Sequence, residues 1–516
     1  MTMTNHGKAA RRRRFPRLIV AFALALPLAA CNTDKLVTVE DPAARRPEDL
    51  NNSGAVPALV QGAFRQFVGG YSGFGNDDAF LSASAAMSDE FYYGDTFTTR
   101  LAADKRIVQS PVLGNITDNA FSRLQQARLN ARRAFAVVNQ FSTAQTAAAD
   151  AITKAQLRTI EGYVYVTLSE GWCGSVPFSV VPDSGAIDPT AIDFGTPLTT
   201  VQMNDTAIAR FNEALALNPN NALAAIGKGR ALLNKGQYAA AAAAVANVST
   251  LYVFRLEHSA NTGAENNPMF ALMGNGRYGV ANLEGGVTLT GAAIRPDIPT
   301  PGTTTAPPLT AISAEGLPFR GLADPRVPWL PKPGNGRCFT TSISCWINAN
   351  YPTLDSDVPA ASGVEARLIE AEAALQAGDV NTMLTKLNGL RSSVVTILGV
   401  LYPDQKQTFP APGSGGTPTL APLTDPATAG MTAAEAFAAR RALMFQERAL
   451  WLFNTGHRLG DLRRLVRNYG LPSNTVFPSG PHFRGGNYGN DVSYPLPFQE
   501  SNNPKYDPSS CVTTQS

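Results

Sequence analysis

The sequence predicts a mostly α-helical protein made of paired helices, with long irregular loops and little β-structure. Apolar residues recur at helical spacing in residues 115–141, 148–169 and 431–469. Residues 203–248 and 362–392 each have the tetratricopeptide-like pattern of two helices joined by a short turn, with small residues where helices would approach closely. The 44 glycines and 37 prolines among 516 residues indicate that long loops connect these helices.

Residues 1–30 are predicted to be a signal peptide and not part of the fold. Arginines at positions 11–14 precede an apolar run over residues 18–30, which is too short to cross a bilayer. The run ends in Leu28-Ala29-Ala30-Cys31, which resembles the lipobox of bacterial lipoproteins. Cys31 would then carry fatty acyl chains such as palmitate, and several chains anchor a protein stably where a single chain binds only marginally.

The lipobox divides the chain into a signal peptide (1–30), a polar lipid tether (31–46) and one folded domain (47–516). Asn32 follows the cysteine, and the bacterial sorting rule then predicts that the lipid-anchored protein is not retained at the inner membrane and reaches the cell outer membrane. The alternative is an ordinary secretory signal with a chance cysteine. The arginines also loosely resemble a twin-arginine export signal, although ordinary secretion is the simpler interpretation.

The charge of the chain is largely a property of its signal peptide. The formal net charge is +3, and residues 1–30 contribute six positive charges and no acid. The mature protein therefore carries about −3, which argues against binding to nucleic acid. No later segment of the sequence is apolar and long enough to cross a membrane.

Four cysteines remain after cleavage, and an even number in an exported protein suggests two disulfide bonds. Three pairings are possible. Cys338 and Cys345 enclose a small loop and are expected to pair, which leaves Cys173 with Cys511. The second bond would fix the C-terminus to an early helix. The sequence has no CxxC motif and no histidine pair at ligand spacing, so no metal site and no cofactor is predicted.

The sequence offers no recognisable catalytic motif. Gly274-x-Gly276-x-x-Gly279 matches a dinucleotide-binding fingerprint in spacing only, because the following Asn-Leu-Glu-Gly-Gly cannot open the helix that this fingerprint needs. GxSxG, P-loop and HExxH motifs are absent, and a sequence cannot show whether two carboxylates have the separation that a glycosidase needs. We therefore predict no catalytic residues and no enzymatic activity; a surface glycan hydrolase is the least favoured alternative.

Aromatic residues in the loops are the predicted ligand-binding residues. Residues 250–354 and 402–426 have little helical pattern, and loops of this length in a compact domain usually carry function. Exposed rings can stack on sugars or peptide side chains while nearby polar groups supply hydrogen bonds, although each ring could instead fill the core of its own loop. Trp172 and Trp451 lie in helical patterns and are predicted to be structural. The ligand-binding candidates are Tyr92, Tyr93, Phe97, Tyr278, Trp329, Trp346 and Tyr351.

Residues 431–469 are predicted to form two helices joined by a glycine turn. Apolar residues recur every seven positions on one face of the first helix, and Gly456 supplies the positive φ that ends it. In the second helix Arg458 and Asp461 are three residues apart, and they are expected to tie helix to helix or to cap a neighbouring loop. The segment is predicted to stabilise the fold and not to bind ligand.

The sequence of residues 447–465, ERALWLFNTGHRLGDLRRL, resembles the C-terminal signature of SusD/RagB-like outer-membrane lipoproteins, roughly E-R-x-x-E-L-x-x-E-G-x-R-x-x-D-L-x-R. Trp451 and Thr455 stand where that pattern has acids, and Gly460 stands where it has an aromatic residue. Further similarities occur in the family's order: a helix ending in a Gly-x-Val-Pro turn, the repeat-like pair, Asp324-Pro325-Arg326, EARLIEAEAALQAGD, and the terminal Pro-Leu-Pro and Asn-Pro.

This resemblance implies one mostly helical SusD-like domain of tetratricopeptide-like pairs with an irregular ligand-binding face. It also implies an outer-membrane lipoprotein that binds a nutrient, an oligosaccharide or in some relatives a peptide, and delivers it to a SusC-like TonB-dependent barrel. No catalysis and no cofactor are implied. Ligand contacts vary within the family, so the aromatic candidates are our own inference. The main alternative is a structural adaptor that binds partner segments in the groove of its repeats.

Overall fold

The structure, a computed structural model, describes residues 50–516 except 89, 109–113, 181–191, 282–316, 321, 323, 342 and 406–417. The predicted signal peptide, the lipidation site Cys31 and the tether lie outside the described residues and stay predictions. Within the described ranges, no helix combines the length and the apolar character needed to cross a lipid bilayer.

Fifteen helices and six short strands make up the regular structure of the described residues. The helices are α1 (Val56–Tyr71), α2 (Phe80–Met87), α3 (Thr98–Asp104), α4 (Asp118–Phe141), α5 (Ala147–Gly171), α6 (Thr200–Leu217), α7 (Ala222–Asn234), α8 (Tyr238–Val245), α9 (Pro268–Gly274), α10 (Gly363–Gln376), α11 (Val380–Ser392), α12 (Val394–Leu401), α13 (Ala433–Trp451), α14 (Arg458–Arg467) and α15 (Ser473–Val476). The strands are β1 (Phe91–Tyr93), β2 (Val253–Leu256), β3 (Tyr278–Val280), β4 (Trp329–Pro331), β5 (Trp346–Asn348) and β6 (Val358–Ser362). They form three separate antiparallel pairs, β1 with β3, β2 with β6 and β4 with β5. This is the mostly α fold with minor β-structure that the sequence predicts.

The longer helices pack in chain order, each against the next. Helix α1 packs against α4, α4 against α5, α5 against α6 and α6 against α7. The series continues through α8 and α10 to α11, because the chain between α8 and α10 leaves the stack, forms strands, and returns. The two segments with repeat-like sequence fold as the helix pairs α7–α8 and α10–α11, so the stack resembles a short helical repeat array.

Side-chain caps explain where several helices begin. Thr199 accepts a hydrogen bond from the backbone N–H of Gln202 (3.3 Å), and Gln202 accepts one from the N–H of Thr199 (2.9 Å). Thr432 and Glu435 form the same reciprocal box at the start of α13. Asn221 caps α7 with a single bond from a backbone N–H (3.0 Å). Each cap satisfies a helix-end N–H that would otherwise lack a partner, so the local sequence sets these starts.

Close packing in the stack depends on glycine at the contact points. The ring of Phe211 on α6 lies between Gly162 of α5 and Gly227 of α7. A Cβ atom at Gly162 would lie 2.6 Å from Phe211 Cε1, and a Cβ atom at Gly227 would meet the same ring. A larger residue at either position would force the helices apart, because a close-packed core leaves no room for added atoms.

A buried layer of charges lies between α10, α13 and α14. Asp461 on α14 accepts two hydrogen bonds from Arg448 on α13 (both 2.9 Å) and one from Arg464 (2.8 Å). Arg464 also donates to Glu372 on α10 (2.8 Å), and these four side chains are at most 3% exposed. Burial opposes ionisation, but the two guanidinium groups outweigh it and hold the pKa of Asp461 well below its ordinary value. Asp461 thus ties two helices together, as expected, and Arg458 is also buried.

A second group of charges joins the helical stack to the segment before β4. Glu447 on α13 accepts hydrogen bonds from Arg326 (2.7 and 3.1 Å) and from Arg391 of α11 (2.6 Å). Arg326 also donates to Asp324. The guanidinium of Arg326 lies 4.9 Å from the ring centroid of Trp451, which stands where the resembled signature has an acid. Arg326 therefore makes a cation–π contact with Trp451, at a position where an acid of the signature could form an ion pair.

A third pair links the two repeat-like units. Arg230 of α7 donates to both oxygens of Glu365 on α10 (2.6 and 2.8 Å) and contacts His457. Burial raises the pKa of Glu365, but the neighbouring Arg230 outweighs this and lowers it to about 2. An acid with a lowered pKa stabilises the fold only while ionised, so this contribution is lost as the pH falls from about 4.5 towards 2.

An arginine and a disulfide bond close the end of α5. Arg463 on α14 donates to three backbone carbonyl groups there, at 2.9–3.1 Å, which satisfies acceptors that a helix end leaves unpaired. Cys173, just beyond the helix, forms a disulfide with Cys511 (Cα–Cα 5.2 Å), the pairing expected from the sequence. The C-terminal segment is thereby fixed to this helix end. Trp172 is fully buried, in agreement with its predicted structural role.

We expect Asp461→Ala to lower the free energy of unfolding by about 3–5 kcal/mol, because it leaves the buried Arg448 without its bidentate carboxylate and Arg464 with Glu372 alone. Chemical denaturation of the mature protein measures this change. Asp425→Ala is the matched control: Asp425 also binds one arginine, Arg440, through two hydrogen bonds (2.9 and 2.6 Å), but both side chains are partly exposed. The control is expected to change stability little. Equal losses in the two variants would contradict the role of the buried layer.

Candidate functional site

Four of the sequence-predicted aromatic residues are buried inside the loop region. Tyr92 and Tyr93 lie on β1, and Tyr278 lies on β3, its antiparallel partner. These rings and that of Tyr351 are at most 2% exposed. The hydroxyl groups of Tyr92, Tyr278 and Tyr351 donate to acceptors within the protein at 2.7–2.8 Å. The expectation that these four rings are exposed is therefore corrected: each is covered by the segments that pack on it.

Trp329 and Trp346 lie on the adjacent strands β4 and β5 and form a half-buried pair. Their ring centroids are 5.3 Å apart in an edge-to-face arrangement. The guanidinium of Arg320 lies 5.2 Å from the centroid of Trp346. Neither indole N–H finds a hydrogen-bond partner in the described part of the chain. The pair keeps some accessible surface although both indole nitrogens are buried, and its role in ligand binding stays a prediction.

Phe97 is exposed, as a ring that stacks on a ligand must be. It stands just before α3, and 55% of its surface is accessible. The guanidinium groups of Arg100 and Arg277 lie 5.2 and 5.5 Å from its ring centroid. These cation–π contacts restrict the ring to one position, so little conformational freedom remains to be lost on binding.

A chain of hydrogen-bonded charges holds these two arginines in place. Arg100 donates to Asp78 (2.7 Å) and pairs with Asp95. Arg277 donates to the other oxygen of Asp95 (2.6 Å), and Tyr278 donates to Asp78 (2.8 Å). Both carboxylates are buried, and burial raises the pKa of Asp78 although Arg100 counteracts it. The chain forms a fixed floor beneath the exposed ring.

A second exposed ring, Phe339, lies beside this floor and is not among the sequence-predicted residues. It is 47% exposed, and the guanidinium of Arg277 lies 3.5 Å from its centroid. Phe339 belongs to the loop closed by the Cys338–Cys345 disulfide (Cα–Cα 4.7 Å), the other expected pairing. Its N–H donates to the carbonyl of Gly276 (2.9 Å). The sequence signal that could have found it is an aromatic residue next to a cysteine in a small closed loop.

The glycines of the apparent dinucleotide fingerprint serve this packing. Gly276 has φ +69°, and a Cβ atom there would lie 2.8 Å from the backbone nitrogen of Phe339. Gly274 ends α9, and Gly279 lies in β3 directly against the ring of Tyr92. The order is thus helix, turn, strand, and the strand–turn–helix context that nucleotide binding requires is not formed by these residues.

Beside Phe97 lies a cleft of about 390 Å³, which we call the Phe97 cleft. Asp118, at the start of α4, accepts a hydrogen bond from the N–H of Asn115 through Oδ2 (3.1 Å). Its Oδ1 is buried and has no hydrogen-bond partner among the described residues, and burial raises the pKa of this carboxyl. The cleft is lined by Asn76, Asp77, Asp78, Phe97, Thr99, Arg100, Gly114, Asn115, Ile116, Asp118 and Asn119.

The arrangement suits a ligand that has an apolar face and a rim of hydroxyl groups. An exposed ring offers a surface for stacking, and carboxylate and amide side chains offer acceptors and donors around it. Within the described residues, no three His, Cys, Asp or Glu side chains gather in a way that could hold a metal ion. The exposed ring and the polar groups around it can support non-covalent binding through stacking and hydrogen bonds.

Solved structures of SusD-like proteins match most of this chain. A SusD-like carbohydrate-binding protein from Bacteroides fragilis NCTC 9343 has 12% sequence identity and a TM-score of 0.55, over 89% of this chain and 99% of that one. A SusD superfamily protein from Bacteroides thetaiotaomicron VPI-5482 has 15% identity and a TM-score of 0.54, over 90% and 99%. Surface glycan-binding protein A from Bacteroides uniformis has 14% identity and a TM-score of 0.54, over 88% and 99%. No protein-family model matches the sequence, and no curated protein is significantly similar to it.

These likenesses show that the chain has the SusD-like fold. The resemblance predicted from residues 447–465 is thereby confirmed in three dimensions. Sequence identities of 12–15% support a shared fold but not a shared binding site, since one fold can hold different binding sites. Four residues of that signature, Glu447, Arg448, Asp461 and Arg464, belong to the two groups of buried charges described above.

We expect the double variant Cys338→Ser/Cys345→Ser to speed amide hydrogen exchange in residues 336–345, because fewer constraints then hold this loop against β1 and β3. Hydrogen–deuterium exchange with mass spectrometry measures the change. The control variant Cys173→Ser/Cys511→Ser is expected to speed exchange in the C-terminal segment instead. Faster exchange throughout the helical stack of the first variant would contradict a local role for its disulfide.

Proposed function

We propose that this chain is a surface-exposed outer-membrane lipoprotein that binds an oligosaccharide in the Phe97 cleft and delivers it to a SusC-like TonB-dependent transporter. The observation that carries the binding part is the exposed ring of Phe97, which lines the cleft, with the exposed ring of Phe339 next to it on the guanidinium of Arg277. The SusD-like structures named above include a carbohydrate-binding protein and a surface glycan-binding protein, which supports the same class of ligand.

The side chains of the cleft are preorganised for such a ligand. The rings and arginines are held by buried hydrogen bonds and cation–π contacts, so these side chains lose little conformational entropy when a ligand binds. The unpaired Oδ1 of Asp118 and the amides of Asn76 and Asn119 supply hydrogen-bonding groups for sugar hydroxyls. Stacking then orients the apolar face of a sugar ring, and the polar groups select its substituents.

The proposal is binding without catalysis. A glycosidase needs two carboxyl groups at a defined separation, one of them free to transfer a proton. Of the cleft carboxylates, Asp118 keeps one unpaired oxygen, but Asp78 is already engaged by Ser82 (3.0 Å), Tyr278 (2.8 Å) and Arg100 (2.7 Å) and is not free to act as the second catalytic carboxyl group. Incubation of the purified protein with soluble glycans, followed by an assay for new reducing ends, tests this; release of products would overturn it.

The membrane part of the proposal rests on the sequence around Cys31. We expect the full-length protein to incorporate a palmitate analogue in a bacterial host and Cys31→Ser to lose the label, since the acylated group is removed. We also expect a large outer-membrane barrel to co-purify with the lipidated protein after mild detergent extraction. Unlabelled wild-type protein would overturn the lipid anchor, and consistent recovery without a barrel would overturn delivery to a transporter.

We expect Phe97→Ala to weaken oligosaccharide binding by roughly tenfold, because an aromatic contact contributes about 0.5–1.5 kcal/mol beyond its area burial. Isothermal titration calorimetry against starch, xylan, mannan and pectin oligosaccharides, with a peptide panel beside them, measures the affinity and the ligand class. Phe498→Ala is the control, since that ring is 67% exposed but does not line the cleft. An equal loss in both variants, or binding of peptides alone, would contradict the proposed site or ligand.

A further inference from the structure

A second cavity of about 740 Å³, which we call the Arg65 groove, lies between α1 and residues 254–265. Gln61 and Arg65 belong to its α1 wall, and Glu257 and Asn261 belong to the opposite wall. Arg65 pairs across the groove with Glu265 (3.3 Å), in a contact that leaves half of the arginine side chain exposed. The groove is therefore accessible, and its walls combine polar and apolar side chains.

One turn of the chain separates the groove from the Phe97 cleft. Phe74 lines the groove, and residues 76–78 line the cleft. The turn is fixed on both sides: the N–H of Asp77 donates to the carbonyl of Phe74 (3.0 Å), and Asn275 donates to the side chain of Asn76 (2.8 Å). The two cavities are thus neighbours with a shared, rigid partition.

Two arginine side chains lie beside the turn that separates the two cavities. The guanidinium groups of Arg65 on α1 and Arg123 on α4 lie 4.8 and 5.6 Å from the ring centroid of Phe74. Arg123 comes one helical turn after Asn119, which lines the cleft, so the two side chains lie on the same face of α4. Phe74 is only 8% exposed, and its buried ring orders both arginines at the surface.

We propose that the Phe97 cleft and the Arg65 groove are two parts of one binding track for an extended, neutral oligosaccharide that passes over Phe74, Arg65 and Arg123. This inference rests on the proposed function of the cleft. Sugar hydroxyl groups both donate and accept hydrogen bonds, and the track offers both, from guanidinium donors to carboxylate acceptors.

The charges along the track favour a neutral polymer over an anionic one. An anionic ligand would meet Asp77 and Asp118 in the cleft and Glu257 in the groove. Arg65 and Arg100 are already paired with Glu265 and Asp78, which leaves Arg123 and Arg255 against these three acids. His258 also lines the groove, but burial lowers its pKa to about 4, so it adds no positive charge near neutral pH.

The test is isothermal titration calorimetry of the mature protein against ladders of neutral oligosaccharides: maltodextrin, xylooligosaccharide and mannooligosaccharide series. In the wild type we expect affinity to rise by about tenfold from short to long members of the series that binds. The double variant Arg65→Ala/Arg123→Ala is expected to lose this rise and to keep the affinity for short members. Arg132→Ala, exposed on the same helix α4, is the control that should keep the rise.

The outcomes separate this inference from the proposed function. The binding track would be overturned if the affinity did not depend on oligosaccharide length, or if the increase with length persisted in the double variant. The proposed site in the Phe97 cleft would still stand if the binding of short oligosaccharides depended on Phe97. Loss of short-member affinity in the double variant, at an unchanged melting temperature, would also overturn a two-part track. No binding of any series by the wild type would overturn both. Glu257→Ala, a second groove variant at an exposed residue, is expected to reduce the rise without affecting folding.

Discussion

The buried layer of arginines and carboxylates around α10, α13 and α14 is the constraint on which the rest of the structure depends. Asp461 and Glu447 each accept hydrogen bonds from two arginines that lie on different segments. Each buried ion needs its partners, because removal of one leaves an uncompensated charge in a medium that solvates it poorly. Bidentate arginine–carboxylate pairs also have a fixed geometry, so they set the relative positions of the helices that carry them.

The turn after α13 connects these helices to the loop region through hydrogen bonds. Its backbone, at Asn454 and Thr455, accepts hydrogen bonds from the hydroxyls of Tyr351 (2.7 Å) and Tyr71 (2.8 Å). The N–H of Asn454 donates to Glu90 (2.8 Å), the residue just before β1. The strand that carries the buried tyrosines is therefore attached to the rigid part of the helical stack. The exposed rings of the site follow from that strand and from the disulfide loop packed beside it.

The structure divides stability and binding between two kinds of segment. Within the described ranges, the helical stack carries the groups of buried paired charges and exposes no large aromatic side chain, whereas the irregular segments expose Phe97 and Phe339. Ordered loops of this kind can change their exposed residues without disturbing the helices beneath them. That is consistent with solved structures that keep the fold at 12–15% sequence identity.

The sequence by itself determined the longer helices and the repeat-like pairs, because hydrophobic periodicity is a local property. The small loop between Cys338 and Cys345 led to the disulfide pairing, and the resemblance of residues 447–465 led to the SusD-like fold. The sequence identified Phe97 but could not separate it from aromatic residues that are buried, since burial depends on segments far apart in the chain. Tyr92 is covered by the loop that contains Ser344, and the Tyr92 hydroxyl donates a hydrogen bond to the carbonyl of Ser344 (2.8 Å). The approach of Phe339 to Arg277 and the unpaired oxygen of Asp118 likewise exist only once distant segments pack together. Only the tertiary structure decided which rings face solvent.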